Sequence, residues 1–338
     1  MQYATRPWQH PGVIVEEVIV RPDRELVARM KSARPLLYDE GGCELEDRPP
    51  VVRAGSALRW LGGRLAVVQD DASFLALVGA ESVQALALPR AESGRRRFES
   101  RLGNKAEKLD LEAALVIRGA GRERLFAFGS GSTSARERIV VVDADASVRV
   151  VDAAPLYAML REHTDFSGSE LNVEGAAVSN GKARLFQRGN GAPARGLEPV
   201  NATIDLDLEE LVAWVDGSGT LPRPVAIRRY DLGLVAGVRF GFTDAVTLPS
   251  GKILFVAGAE DSPNTYDDGV VLGCRFGILE EDGGRFTDLR DADGALSRHK
   301  IEGIAVGAGE ELELVAVTDQ DDPDAPALLC EIELQGPW

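Results

Sequence analysis

Four short segments place a carboxylate at the same point of a recurring apolar pattern. They are Leu111-Glu112-Ala113-Ala114-Leu115, Val173-Glu174-Gly175-Ala176-Ala177, Thr243-Asp244-Ala245-Val246-Thr247 and Ile301-Glu302-Gly303-Ile304-Ala305. A fifth segment, Gly55-Ser56-Ala57-Leu58-Arg59, carries a serine there. Brought to one place, Glu112, Glu174, Asp244 and Glu302 would repel one another. Such a group calls for a cation, for neighbouring Lys or Arg, or for carboxyls that keep their protons. Oxygen-only donors suit Ca2+ or Mg2+, and Ca2+ is the ion expected at these four residues. His10, His163 and His299 show no ligand spacing that would point to a softer metal. Asp110 and Asn172 stand two residues before their glutamates, on the same strand face by alternation. Lys300 takes that place before Glu302. With Lys105 and Lys108 it offers the alternative to a metal, a ring closed by salt bridges.

A second polar group follows each segment. The runs Gln69-Asp70-Asp71, Gln187-Arg188-Gly189-Asn190, Glu260-Asp261 and Asp319-Gln320-Asp321-Asp322 all follow apolar runs. Arg188, Asn190 and Lys300 are the expected substrate contacts. The Arg188 fork suits a phosphate or carboxylate, and it equally suits pairing with a neighbouring acid. The Asp319–Asp324 stretch lacks the Gly and terminal Glu of an EF-hand. Gly129-Ser130-Gly131-Ser132 does not form a nucleophile elbow. No P-loop or dinucleotide fingerprint stands out.

The elements that must position these groups repeat with them. Each segment leads into a turn, such as Leu61-Gly62-Gly63 or Ser179-Asn180-Gly181, that reads as a hairpin. A second apolar run, a polar tip and a third run come next. The five copies predict an all-β chain, a five-bladed β-propeller whose innermost strands line a channel. The carboxylates would then gather near one mouth. Two helical inserts are predicted, Ala154 to His163 and Leu206 to Val215, both with apolar residues at helical spacing. The last copy is too short for four strands, so Val13–Val20 is the expected closing strand. A short helix from Arg24 to Ser32 and an acidic loop over 39–50 complete an N-terminal region, 1–50, beside the propeller at 51–338. Six blades are the alternative, with 13–50 as a degenerate extra blade.

Composition narrows the function. The 338 residues carry a formal charge of -16. That disfavours sequence-independent nucleic-acid binding and docking on anionic lipid. Three cysteines without CxxC spacing form neither a disulfide framework nor a zinc site. The start lacks the apolar core of a signal peptide, and no run approaches a membrane span. A cytoplasmic protein is expected, with no nucleic-acid or membrane partner.

The segments Leu171–Ala177 and Lys300–Ala305 resemble the D-x-E-G-[IL]-A strand of the phytase-like, or esterase-like, β-propeller families. Ser56–Trp60, Gly63–Val68 and Asp70-Asp71 look like their first blade, and Phe186–Gly191 fits a middle-blade tip in bacterial members. The resemblance spans roughly 51–334. It implies calcium binding and hydrolysis of an ester or phosphoester. Ser56, Thr243-Asp244-Ala245 and the lack of a basic phosphate-binding cluster depart from a phytase. Two expectations follow. One is a divalent-metal-dependent hydrolase of a small ester, lactone or phosphoester. The other is a non-catalytic propeller that binds a small molecule or protein at the channel mouth.

Overall fold

The computed structural model describes residues 13–119, 121–261, 269–281, 283–307 and 312–338. His10, the opening residues 1–12 and parts of two expected turns, at Ala120 and Ala308-Gly309, lie outside the described residues.

The chain begins with β1 (Ile14–Pro22) and β2 (Val27–Pro35). Sheet I is an antiparallel meander of β3 (Gly55–Leu61), β4 (Arg64–Gln69), β5 (Phe74–Val78) and β6 (Val83–Ala87). Sheet II repeats it with β7 (Leu111–Gly119), β8 (Arg122–Gly129), β9 (Arg138–Asp143) and β10 (Val148–Asp152). Helices α1 (Ala154–Glu162) and α2 (Thr164–Ser167) lead to sheet III. That sheet holds β11 (Val173–Ser179), β12 (Lys182–Gln187), β13 (Asn201–Asp207) and β14 (Pro224–Asp231), with α3 (Leu208–Val215) between its last two strands. A small hairpin follows, β15 (Leu234–Val235) and β16 (Val238–Arg239). Sheet IV holds β17 (Gly241–Thr247), β18 (Ile253–Asp261), β19 (Val270–Glu280) and β20 (Gly283–Arg290). Sheet V has β21 (Ile301–Val306), β22 (Glu313–Thr318) and β23 (Leu328–Gln335).

The fourth strand of sheet V is β2, antiparallel to β23 from Val27↔Gln335 to Pro35↔Leu328. Two expectations are corrected here. Val13–Val20 does not close the last sheet: β1 runs parallel to β14 on the outside of sheet III and touches β20 at Val20–Pro22. The segment from Arg24 to Ser32 is not helical. Its Ala, Arg, Met and Lys are good helix formers, but tertiary context overrides such propensities, and here pairing with the open edge of β23 does so. Ala28 and Met30, two apart, are buried as strand alternation requires. Residues 13–50 add no four-stranded sheet of their own.

The inner strands β3, β7, β11, β17 and β21 are neighbours in turn, and β21 returns to β3. Among the described residues the core is divided the same way. One cluster joins sheets I and II, around Val68, Leu75, Ala127 and Val140. Others join II with III, III with IV, IV with V, and V with I. This is the ring of a β-propeller. Because each inner strand is covered on both faces, it reads as a continuous buried run. Phe242 is the hub between III and IV, edge-on to Phe186, Tyr230 and Phe255 at 5.1–5.3 Å. Leu156, Tyr157 and Leu160 of α1 and Leu211 of α3 join the II–III core. Asp207 caps α3 by accepting from the amides of Glu209 and Glu210. No helix of the described residues is long and apolar enough to cross a membrane.

Candidate functional site: a carboxylate pocket at the channel mouth

Every inner strand carries a β-bulge near its start. The ladder skips Ser56 in β3, Glu112 in β7, Glu174 in β11, Thr243 in β17 and Glu302 in β21. A bulge leaves one residue unpaired and re-aims its side chain. At Ser56 and Thr243 the hydroxyl donates to the next inner strand, to Leu111 O at 2.5 Å and Ile301 O at 2.7 Å. At Glu112, Glu174 and Glu302 the carboxylate lines a cavity of about 430 Å³ at the channel mouth.

The glycine after two of these glutamates has a steric cause. A Cβ on Gly303 would lie 2.7 Å from Ala57 C and Leu58 N of sheet I. One on Gly175 would lie 3.2 Å from Asp244 Cα of sheet IV. The Glu-Gly pair thus combines a group aimed at the axis with backbone that lets neighbouring strands converge.

Asp244 is not in this pocket. The bulge of β17 falls on Thr243, so Asp244 corresponds to Ala57, Ala113, Gly175 and Gly303, one residue along. A shift of one turns a side chain to the other face. Fully buried, its carboxylate takes a two-point contact from Arg59, Nη2 to Oδ1 at 2.7 Å and Nη1 to Oδ2 at 2.8 Å. It also accepts the amides of Ala245 and Ile304. Arg59 in turn donates to the carbonyls of Leu58, Ala176, Ala245 and Ile304, and so touches four inner strands. Beyond this pair lies a second cavity of about 490 Å³, lined by Leu115, Ile117, Val178, Val246 and Val306 among others and, among the described residues, by no carboxylate.

In the first pocket the expected residues Arg188, Asn190 and Lys300 all line the wall with the three glutamates. Arg188 reaches over the start of β17, where a Cβ on Gly241 would meet its Cγ at 2.7 Å. Its guanidinium lies 2.8 Å from Glu260, 3.4 Å from Glu174 and 3.7 Å from Glu302. Lys300 pairs with Asp319 at 3.5 Å and with Asp321. Lys108 is clasped by Asp70 at 2.7 and 2.8 Å and by Asp110 at 2.6 Å. Asn172 donates to Glu174 at 2.6 Å and, at 3.3 Å, to Asn190. Gln69 and Gln187 turn inward and fasten the loops before β3 and β11 instead.

Three members of the site carry no repeat signal. Arg53 precedes sheet I and pairs with Glu99 at 2.6 Å and with Asp71. Glu99 sits on the long connection between sheets I and II. Arg136, in a short turn after β8, reaches Asp110 at 2.7 Å. Each comes from a loop whose length differs between sheets, so only the fold brings it in.

One carboxylate oxygen from each of Glu112, Glu174 and Glu302 lies within 4.8 Å of the others, and Glu112 shares the same relation with Asp70 and Asp110. Glu302 is 4% exposed, and its Oε1 has no hydrogen-bond donor. Burial pushes the Glu112 carboxyl well above the usual range, and repulsion from Asp70, Glu174 and Asp110 adds to it. Burial likewise raises Glu302 well above that range and raises Glu174, against the pull of Arg188 and Lys300. Burial opposes the charged form of Asp70 too, but the Lys108 ammonium and a hydrogen bond with Asp110 together outweigh it and hold that carboxyl low. The cations therefore neutralise the flanks of the pocket, while burial and mutual repulsion favour the protonated form of its three glutamates, a cost that a cation bound between them would relieve.

No functionally curated protein matches this chain. Solved structures similar to it over most of its length include three enzymes. The GH93 alpha-L-arabinofuranosidase of Fusarium graminearum is 10% identical, covering 93% of this chain and 84% of its own, with a TM-score of 0.34. A thermostable family-43 glycoside hydrolase is 11% identical, covering 88% and 92%, with a TM-score of 0.39. A luciferin-regenerating enzyme is 13% identical, covering 85% and 81%, with a TM-score of 0.34. Likeness at this level speaks to neither substrate nor activity. A family model matches residues 51–334, all five inner strands included, and the chain belongs to that family, DUF6929, a family of unknown function.

Proposed function

We propose that the pocket binds one divalent cation, Ca2+ by the nature of its donors, between Glu112, Glu174 and Glu302. We propose further that it hydrolyses a small ester, lactone or phosphoester at the channel mouth. The observation that carries this reading is the convergence of three glutamate oxygens within 4.8 Å, from residues that include Glu302, whose buried Oε1 has no hydrogen-bond donor. Oxygens about 2.3–2.6 Å from a Ca2+ ion stand at most about twice that distance apart, so little movement is needed. A bound ion would polarise the substrate and lower the pKa of a bound water. The chain's own groups frame that chemistry. Asn172 fixes the Glu174 carboxylate, Arg188 holds Glu174 and Glu260 in place, and Asn190 and Lys300 face the remaining space. The likeness of Leu171–Ala177 and Lys300–Ala305 to phytase-like propeller strands supports the same reading.

Calorimetric titration of chelator-treated protein with Ca2+, Mg2+, Mn2+ and Zn2+ tests the site. One ion per chain is expected, and Glu174→Gln with Glu302→Gln should abolish uptake. Unchanged metal content and thermal stability in that pair would rule out the metal. Turnover of esters, lactones and phosphoesters with and without Ca2+ tests the reaction. Metal uptake with no turnover of any of them would make the protein a binding module instead.

A further inference from the structure

We infer that the ligand of this pocket is a small, neutral, polyhydroxylated molecule of the sugar or sugar-lactone type, held through its hydroxyl groups between the carboxylates and the built-in cations. The inference rests on the hydrolytic reading above and chooses among its substrate classes.

Of the 25 described residues that line the pocket, only Ala54, Phe98 and Pro323 are apolar. Phe98 is 2% exposed and offers almost no ring face. An acyl chain placed here would strip water from charged groups and return no hydrogen bonds, which is costly. The lining also holds eleven Asp or Glu against seven Lys or Arg. One divalent ion leaves that balance negative, so a phosphoester would bring further negative charge into a site already rich in it.

A hydroxyl group suits both partners, because it donates and accepts. It can donate to a carboxylate and accept from a guanidinium, an ammonium or an amide. The wall sets these types side by side: Lys108 between Asp70 and Asp110, Arg188 against Glu260, and Lys300 beside Asp319. A vicinal diol meets such an alternation with one group to each type. Among the described residues, two buried oxygens on the lining lack donors. An ion bound at the glutamates would satisfy Glu302 Oε1; Asp71 Oδ1, outside that group, is left for a ligand hydroxyl. The volume, about 430 Å³, admits a molecule of one or two sugar rings and not a polymer chain passing through, because Arg59 and Asp244 close the channel.

The test is calorimetry on the full chain with Ca2+ present. The probes are myo-inositol, D-xylose, D-glucose and glucono-1,5-lactone, with inositol monophosphate and glucose 6-phosphate as charged counterparts. At least one neutral probe should bind at one per chain. Its phosphorylated counterpart should bind more weakly by about tenfold or more, and Asn190→Ala should weaken the neutral probe by about tenfold, the worth of one hydrogen bond to a polar site. Tighter binding of the phosphates, turnover confined to p-nitrophenyl butyrate, or no heat from any neutral probe would overturn the inference. Metal uptake is measured on the same samples. Binding of a neutral probe by protein that takes up no Ca2+ would sink the metal reading and leave this one standing. Ca2+ uptake with preference for phosphates would do the reverse.

Discussion

Arg59 of sheet I and Asp244 of sheet IV meet across the propeller axis in a two-point contact of 2.7 and 2.8 Å, with the carboxylate fully buried. The pair holds together strands that are far apart in sequence. It also separates a polar pocket from an apolar one, so the channel is a blind well.

Asp244→Asn should therefore act on stability and not on metal binding. Removing one partner of a buried ion pair typically costs about 3–5 kcal/mol, because the other charge is left uncompensated. Urea denaturation should show a loss of that order, while the folded variant takes up Ca2+ as before. A variant of unchanged stability that no longer binds metal would return Asp244 to the carboxylate ring.

Why the sequence misplaces Asp244 is clear from its neighbours. Matching acid to acid aligns Asp244 with Glu174, but the bulge sets the register. The residue before the bulge is apolar at Leu111, Val173 and Ile301, and the equivalent in β17 is Phe242, not Thr243. That apolar position, weighed above the charge, would have identified Thr243. The repeat, the second and third strands and the two longer helices are legible because local patterning decides them. The strand β2 is not, because its partner β23 lies some 300 residues away and only closure of the ring makes it extended. Arg53, Glu99 and Arg136 are invisible for a similar reason: they sit on loops that do not repeat.

The two glycines behind the glutamates should rank in a definite order. Gly303→Ala brings a Cβ to 2.7 Å from the backbone of Ala57 and Leu58, where nothing flexible can yield. Gly175→Ala meets Asp244 Cα at 3.2 Å, a contact that a small shift relieves. Overpacking of this kind costs about 1–3 kcal/mol. Thermal or urea unfolding should place Gly303→Ala near or above the top of that range and Gly175→Ala near the bottom. Equal losses would mean that strand convergence does not explain the motif.

The response to pH should be opposite in sign to that of ordinary paired carboxylates. Burial raises the carboxyls of Glu112, Glu174 and Glu302, and it raises Asp71 to about 7 despite Arg53. A carboxyl with a higher pKa folded than unfolded binds more protons in the native state, so stability falls as pH rises between the two values. Paired groups held low, such as Asp70 and Glu260, are already ionised in both states above about pH 5. Chelator-treated protein should therefore lose stability between about pH 5 and 8, and Ca2+ should restore more of it at the alkaline end. Glu112→Gln without metal should be more stable than the parent at pH 8 and close to it at pH 5. Melting curves in chelator that rise steadily with pH across this window would contradict the assignment.

The last prediction concerns what lies outside the family match. Residues 51–334 contain three strands of sheet V and omit β2. That strand buries Ala28 and Met30 in the core between sheets IV and V, and the following Leu36 and Tyr38 fill the core between V and I. The Tyr38 hydroxyl also accepts from Gln69, which fastens the loop before β3. A chain beginning at Val51 would expose the hydrogen-bonding edge of β23 and part of two cores, and an open edge invites pairing with other chains. It should aggregate or elute as large species in size-exclusion chromatography. The strand β1 is different. Ile14 and Ile19 are about 60% exposed, and of the strand only Val20 is buried. A chain beginning at Asp23 keeps β2 and should remain monodisperse with a lowered melting temperature. If the Val51 chain instead folds and binds Ca2+ like the full protein, β2 is dispensable and the ring closes without it.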